Sequence, residues 1–311
     1  MNAAVARTLD GTATARSIRE EIARGVAALR RERAVVPGLS VVLVGDDPAS
    51  RAYVRGKERA AAEVGIASRV VRLPATAGEE GILRAVRDLV ANPAVHGVLV
   101  QMPLPPGVDA RRVIEAVDPA KDVDGFHPVH MGRLLVGAPG MVPCTPAGIV
   151  ELLKRHGIPL AGRRAVVLGR SNIVGKPMAI LLLREDCTVT IAHSKSPDVA
   201  ALAATADILV AAVGRPAFVR GSFVKPGAVV VDVGVNALTT ESDVREVFGD
   251  DARKLAVLRE KGSVLCGDVH PLEAAAKASW LSPVPGGVGP LTVAMLLSNT
   301  LEAARRCSAS A

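Results

Sequence analysis

Apolar residues in the first part of the chain follow two alternating periods. From Thr14 to Arg33, Ile18, Ile22, Val26 and Leu29 return every three or four positions among charged residues, which predicts an amphipathic helix. Pro37-Gly38 ends it. Leu39 to Val44 is then an almost unbroken apolar run, the pattern of a strand buried on both faces. Ser50 to Val64 reads as a second helix stopped by Gly65, and Arg69 to Leu73 as a strand. Glu79 to Asn92 is a third helix, closed by Asn92-Pro93. Val95 to Gln101 is a third strand. Met102-Pro103-Leu104-Pro105-Pro106 after it must be an extended loop. Strands alternating with helices predict an α/β protein with a parallel sheet.

A second run of the same kind follows. Pro143 to His156 predicts a helix, Arg164 to Leu168 a strand, Gly169 to Gly175 a turn and Pro177 to Leu183 a helix. Thr188 to Ala192, Ile208 to Val213 and Val229 to Val233 predict three further strands. The order is that of a mononucleotide-binding half of a doubly wound, Rossmann-like fold, with a domain boundary near residue 145. Asn236 to Gly262 is polar and charged, without a clear period. Pro283 to Pro290 predicts a Pro/Gly-rich loop, and Leu291 to Arg306 a last amphipathic helix.

Composition sharpens this picture. A chain of 311 residues, 49% hydrophobic, is large enough for about two domains. Aromatic residues make up only 2%, so the core is aliphatic and the single tyrosine, Tyr53, invites a functional question. The formal charge of +7 favours anionic partners. No basic run is interleaved with aromatics, so nucleic acid is not expected. Most arginines, as in Arg16 to Arg33, fit solvated helix faces, and anionic small molecules fit the balance. Cys144, Cys187, Cys266 and Cys307 form no metal-ligand spacing and read as reduced thiols; no metal is expected. Neither a secretory signal nor an apolar run long enough for a membrane span is seen, so a cytoplasmic protein is expected.

Two places hold candidate chemistry. Gly169-Arg170-Ser171-Asn172-Ile173-Val174-Gly175 lies between strand and helix, where glycines let the backbone approach a phosphate and the helix N-terminus offers N–H groups. The spacing is not GxGxxG, and an ordinary strand-to-helix turn also fits it. Binders of NAD place a carboxylate at the end of the second strand. Here that strand ends in His193-Ser194-Lys195-Ser196. Arg170 and Lys195 can instead flank a 2′-phosphate, with Ser171 or Ser194 as donors, so NADP is preferred to NAD.

The other place is upstream. Tyr53 and Lys57 share one face of a predicted helix. They read as an aromatic platform beside an amine, or as a surface lysine beside a half-buried tyrosine. Gln101 ends the third strand, where open α/β sheets bind ligands. Asp124, in Asp122-Val123-Asp124-Gly125-Phe126, is either a turn residue or a carboxylate that pairs with the edge of a heterocycle. The YxxxK spacing also suggests the short-chain dehydrogenases. Their glycine-rich turn precedes YxxxK, however, and here the order is reversed.

Several stretches carry a resemblance. They are Val44-Gly45 through Ala49-Ser50 to Tyr53-Val54 and Lys57; Gln101 to Pro105; Lys121 to Gly125; Gly169-Arg170-Ser171 through Ile173 to Pro177; Val231 to Asn236; and Pro283 to Pro290. In this order, and over nearly the whole chain, they resemble the bifunctional methylenetetrahydrofolate dehydrogenase/cyclohydrolases. The resemblance implies NADP-dependent oxidation of 5,10-methylenetetrahydrofolate and hydrolysis of the methenyl product to 10-formyltetrahydrofolate. By position it makes Lys57 the proton-transfer residue, Gln101 its partner and Asp124 the carboxylate holding the pterin. Tyr53 and Ser50 contact substrate, and Gly286, Gly287 and Val288 form a loop that closes over it. Gly169, Arg170, Ser171, Ser194 and Val235 contact NADP. It also implies a homodimer. The implied domains are residues 1–145 with 283–311, a folate-binding catalytic domain to which the C-terminal helix returns, and 146–282, the dinucleotide-binding domain. Three departures stand out: Asn236 to Gly262 is long and charged, Ser196 replaces an expected Thr, and Val235 a frequent Ile. A dehydrogenase without hydrolysis, and a non-catalytic NADP- or folate-binding regulator, remain alternatives.

Overall fold

The computed structural model describes residues 6–309. The chain folds as two compact units. One takes the residues up to Thr14 and Thr145–Thr292; the other takes Ala15–Cys144 and the chain from Val293 on. This division differs from the implied one at both ends: residues 6–14 and 283–292 belong with the dinucleotide-type unit. The cause is pairing that no local period reveals. Strand β1 (Arg7–Thr8) adds a parallel edge to that unit's sheet, and helix α1 (Gly11–Arg33) begins against the loop at Gly286, whose carbonyl accepts from Thr12 N at 3.0 Å.

From Ala15 the chain builds the other unit. After α1 come β2 (Gly38–Val44), α2 (Pro48–Glu63), β3 (Ala67–Leu73), α3 (Gly78–Ala91) and β4 (Gly97–Val100). The three strands pair in parallel in the order β3-β2-β4, with Val41 opposite both Val70 and Leu99. Every residue of β2 is buried, as its apolar run requires. Ile18, Ile22, Val26 and Leu29 of α1 are buried, while Ile82 and Val86 of α3 pack with Val42, Val98 and Val100. Two short helices follow, α4 (Ala110–Glu115) and α5 (Pro128–Leu135), and neither reaches three turns. Between them the chain returns to the sheet: Val98 N donates to Lys121 O at 2.8 Å, and Val98 bridges Asp122.

The dinucleotide-type unit runs through α6 (Cys144–Arg155), β5 (Arg164–Leu168), α7 (Gly175–Arg184), β6 (Thr188–Ala192), α8 (Val199–Ala203), β7 (Ile208–Ala211) and β8 (Val229–Asp232). The polar stretch after β8 is structured: β9 (Asn236–Leu238), α9 (Glu241–Phe248), α10 (Ala252–Lys261) and β10 (Val264–Cys266) follow, and β9 pairs antiparallel with β10. Leu238, Val244, Val247, Leu255 and Val264 close a small core there. Then come α11 (Pro271–Ala275), β11 (Trp280–Leu281) and α12 (Val288–Ala309), which starts three residues before the expected helix. The six-stranded parallel sheet has the order β1-β11-β8-β7-β5-β6. Its core is aliphatic, with Val166, Leu168, Leu209, Ala211 and Val230 all excluded from solvent. Leu291 of α12 packs at Gly148 of α6, and Leu301 further along packs at Gly25 of α1. Among the described residues no helix is long and apolar enough to cross a membrane.

Candidate active site

The first cluster begins with the start of α2. Asp47 caps that helix by accepting from Ser50 N at 2.7 Å, and Pro48 sits in its first turn. This local sequence starts the helix where Tyr53 and Lys57 fall one turn apart on one face. Tyr53 is 51% exposed, Lys57 half-buried, and Ser50 buried near the helix start. Gln101 is the residue after β4, its backbone N–H on Val42 O at 2.9 Å. Its side-chain Nε2 donates to Met102 O at 2.6 Å, which turns Oε1 toward the amine: Lys57 Nζ donates to Oε1 at 3.0 Å. The two residues stand 44 positions apart in sequence.

Asp124 joins them. It lies in the turn after the bridge to β4, and this turn is held from within by the buried Asp122. The Asp122 carboxylate accepts from Gly125 N at 3.1 Å and His127 N at 2.8 Å. Burial pushes the Asp124 carboxyl up to about 7; the charge of Lys57 opposes that rise and Asp122 adds to it. Cys144 completes the recess. Its buried thiol donates to Val123 O at 3.3 Å, and burial holds it well above the ordinary thiol range, so it stays protonated. An amine fixed by an amide oxygen, with a carboxyl titrating near neutrality beside it, can move a proton and can accept N–H donors from a heterocycle.

The second cluster lies at the C-terminal ends of β5, β6 and β7. Gly169 has φ +117°, and a Cβ there would stand 2.2 Å from Ala212 O; at Gly175 one would stand 2.4 Å from Gly169 O. Only glycine fits either position, so the turn is built for close backbone approach. Ser171 Oγ accepts from Val174 N at 3.1 Å and Gly175 N at 3.2 Å, which leaves its hydroxyl proton free to donate outward. A cavity of about 240 Å³ opens beside the turn, lined by Gly169, Arg170, His193, Ser194, Val213 and Arg215 among others. Arg170 and Ser194 are exposed at it, and the residues directly after β6, His193-Ser194-Lys195-Ser196, include no carboxylate. Ser171 and Val235 lie outside this lining, and Val235 is 49% exposed beyond β8. A glycine cradle at a helix start, with Arg170 in its turn and the Ser194 hydroxyl after β6 where a ribose-binding carboxylate would stand, suits a dinucleotide carrying a 2′-phosphate. Gly286, Gly287 and Val288 sit in the same unit, where Gly287 N donates to Pro283 O at 2.8 Å.

Sequence reasoning assigned no role to the carboxylates that shape this edge. Asp268, fully buried, accepts from Val213 N at 2.6 Å, Gly214 N and Arg215 N at 2.9 Å, and Asn236 Nδ2 at 3.0 Å. Asp232 accepts from Gly234 N, Asp268 N and Val269 N, and burial, with Asp268's charge adding, lifts its carboxyl to about 7. Their one visible signal was a carboxylate at the end of an apolar strand, in Val231-Asp232-Val233-Gly234.

Comparison with known proteins identifies two family domains that meet close to the Cys144–Thr145 boundary. The tetrahydrofolate dehydrogenase/cyclohydrolase catalytic-domain model matches residues 9–124, and the NAD(P)-binding-domain model of the same family matches residues 143–308. The chain is 52% identical over 299 residues to the bifunctional protein FolD of Acidiphilium cryptum (strain JF-5), covering 96% of this chain and 98% of that protein. It is 50% identical over 300 residues to that of Solibacter usitatus (strain Ellin6076), covering 96% and 98%. Among solved structures, the Trypanosoma brucei methylenetetrahydrofolate dehydrogenase-cyclohydrolase complexed with NADP cofactor and inhibitor superposes with TM-score 0.87 at 40% identity, over 97% of this chain and 98% of that one. The FolD enzyme of Campylobacter jejuni superposes with TM-score 0.86 at 39% identity, over 96% and 98%. The chain belongs to the tetrahydrofolate dehydrogenase/cyclohydrolase family.

Proposed function

We propose that this enzyme oxidises 5,10-methylenetetrahydrofolate with NADP and hydrolyses the methenyl product to 10-formyltetrahydrofolate. The observation that carries the reading is the Lys57–Gln101 hydrogen bond with Asp124 beside it, in a chain that also holds the glycine cradle. When bound, NADP supplies the hydride acceptor. Loss of hydride leaves a cation shared between two folate nitrogens, so the protein needs no strong base for that step. Hydration does need one: the attacking water gives up a proton as its oxygen bonds to carbon, and the departing nitrogen takes one as its bond to carbon breaks. Lys57 Nζ, oriented by Gln101 Oε1, carries that proton in our reading. Asp124 accepts hydrogen bonds from the pterin edge, Tyr53 stacks along the substrate, and Ser50, Gly286, Gly287 and Val288 contact it. Gly169, Arg170, Ser171, Ser194 and Val235 hold NADP. Arg170 and Ser194 favour NADP over NAD, because β6 ends in His193-Ser194-Lys195-Ser196 with no carboxylate at its end to take a free ribose hydroxyl.

We assign the enzyme to the cytoplasm as a homodimer acting on small molecules, not on nucleic acid or membranes. Three of its cysteines are buried free thiols, which suits a reducing compartment. A single sedimenting species of monomer mass would overturn the dimer. The activity is tested by following reduced cofactor, methenyl- and 10-formyltetrahydrofolate over time with NADP or NAD. Enzyme-accelerated formyl product with NADPH is expected. Methenyl product that hydrolyses only at its spontaneous rate would leave a monofunctional dehydrogenase.

A further inference from the structure

The turn that carries Asp124 is held from outside by the C-terminal helix. Asn299 stands half-buried on α12, and its Nδ2 donates to Val123 O at 2.9 Å and Val142 O at 3.1 Å. Cys144 Sγ lies 3.6 Å from the same nitrogen and itself donates to Val123 O. The orientation of the amide follows from its neighbours: carbonyl oxygens only accept, so the NH₂ end must face them. Val123 immediately precedes Asp124, and Val142 and Cys144 flank Pro143. Those two stretches are pressed together, since Gly125 has φ +74° and a Cβ there would stand 2.7 Å from both Val142 C and Pro143 N. Besides the Cys144 thiol on Val123 O, the turn therefore has two restraints of different origin. Asp122 closes it locally through Gly125 and His127, whereas Asn299 ties it to a stretch of chain far along the sequence.

We propose that Asn299 is the positioning residue for Asp124, its amide bridging the Val123 and Val142 carbonyls and so fixing where the carboxylate stands in the substrate recess. The proposal deepens the reading of Asp124 as the pterin-binding carboxylate and rests on it. A carboxylate that pairs with two N–H groups of a planar ring tolerates little displacement, because short directional hydrogen bonds weaken steeply with angle. Cutting the bridge frees the backbone next to Asp124 and leaves the local Asp122 restraint in place, so the turn persists with its carboxylate displaced.

The test uses the full-length enzyme with Asn299→Ala, Asn299→Ser (which keeps one donor), Asp124→Asn and the combined variants. In the oxidative direction, Asn299→Ala should raise KM for methylenetetrahydrofolate about tenfold and Asn299→Ser less, with KM for NADP unchanged. In the Asp124→Asn background the same change should cost under about twofold, because the group being positioned is already gone. Equal factors in both backgrounds, or a matching rise in KM for NADP, would mean general loosening and would overturn the proposal. A second readout needs no turnover: the carbon-13 titration of the Asp124 carboxyl, identified by its loss in Asp124→Asn. Its midpoint should move in Asn299→Ala, and an unmoved midpoint overturns the proposal. An inactive wild type would sink the proposed function while this titration still decides the bridge. If Asn299→Ala does not fold, Asn299→Ser serves for both measurements.

Discussion

At the scale of single residues, the informative quantity is the carboxyl of Asp124, pushed up to about 7 by burial. If it binds the pterin as a carboxylate, its protonation on the acid side removes that contact. The oxidative kcat/KM for the folate substrate should then be full above about pH 8 and decline through about 7 as pH falls. Lys57 opposes the rise in this group. Lys57→Met should therefore move the acidic limb to higher pH, besides removing cyclohydrolase turnover. A limb that stays in place in Lys57→Met would show that the two charges do not communicate. The residue types of this recess were legible in the sequence, whereas the pairing of Lys57 with Gln101 was implied by the resemblance alone. Lys57 and Asp124 were candidates from helix spacing and a turn, their roles came from the resemblance, and their neighbourhood depends on the β2–β4 pairing that brings Gln101 onto Val42. Asn299 and Asp268 were invisible for the same reason: each acts on backbone groups far away in sequence, and such contacts leave no local period.

At the scale of elements, strands were the most legible. β5 and β6 match the expected spans residue for residue: β5 is a nearly continuous apolar run bounded by turns, and β6, at the sheet's edge, alternates threonines with apolar residues. Elements of two residues, such as β1 and β11, carry no such signal. The charged stretch from Asn236 hid two helices, although its caps are ordinary. Thr240 accepts from Asp243 N, Asp251 from Arg253 N and Lys254 N, and Gly262 ends α10 in the left-handed conformation. The edge of the large sheet also makes a stability prediction. Burial lifts the folded Asp232 carboxyl to about 7, above its ordinary value of 3.8, so the folded state holds a proton that the unfolded state has released between those limits. This contribution to stability is fully present below the unfolded value and is lost as pH rises through about 7. The denaturation midpoint should thus fall between about pH 5 and about pH 8 through this group. Asp232→Asn should be less stable at about pH 5, since its NH₂ end meets a backbone N–H, yet show a shallower slope with pH. An unchanged slope would assign the dependence elsewhere.

At the scale of the molecule, the cofactor cradle and the lysine recess belong to different compact units, and each is built from its own sheet. The alternation of strands and helices made both sheets legible in the sequence. What it concealed was that the ends of the chain are shared, residues 6–14 going to one unit and the chain from Val293 to the other. If the cradle and the lysine recess hold separate ligands, substitutions in them should damage separate constants. Arg170→Ala removes a charge-assisted donor from the cavity beside Gly169, an interaction worth roughly 1.5–3 kcal/mol in sheltered sites and less where exposed, as Arg170 is. An increase of about tenfold or less in KM for NADP is therefore expected, together with a smaller preference for NADP over NAD and an unchanged KM for methylenetetrahydrofolate. Lys57→Met should do the reverse, leaving the calorimetric affinity for NADP untouched while formyl product disappears. Should Arg170→Ala raise both KM values equally, or leave the NADP to NAD ratio where it was, the 2′-phosphate would have to be held by other groups at the ends of β6 and β7, and the lining residue Arg215 would be the next one to substitute.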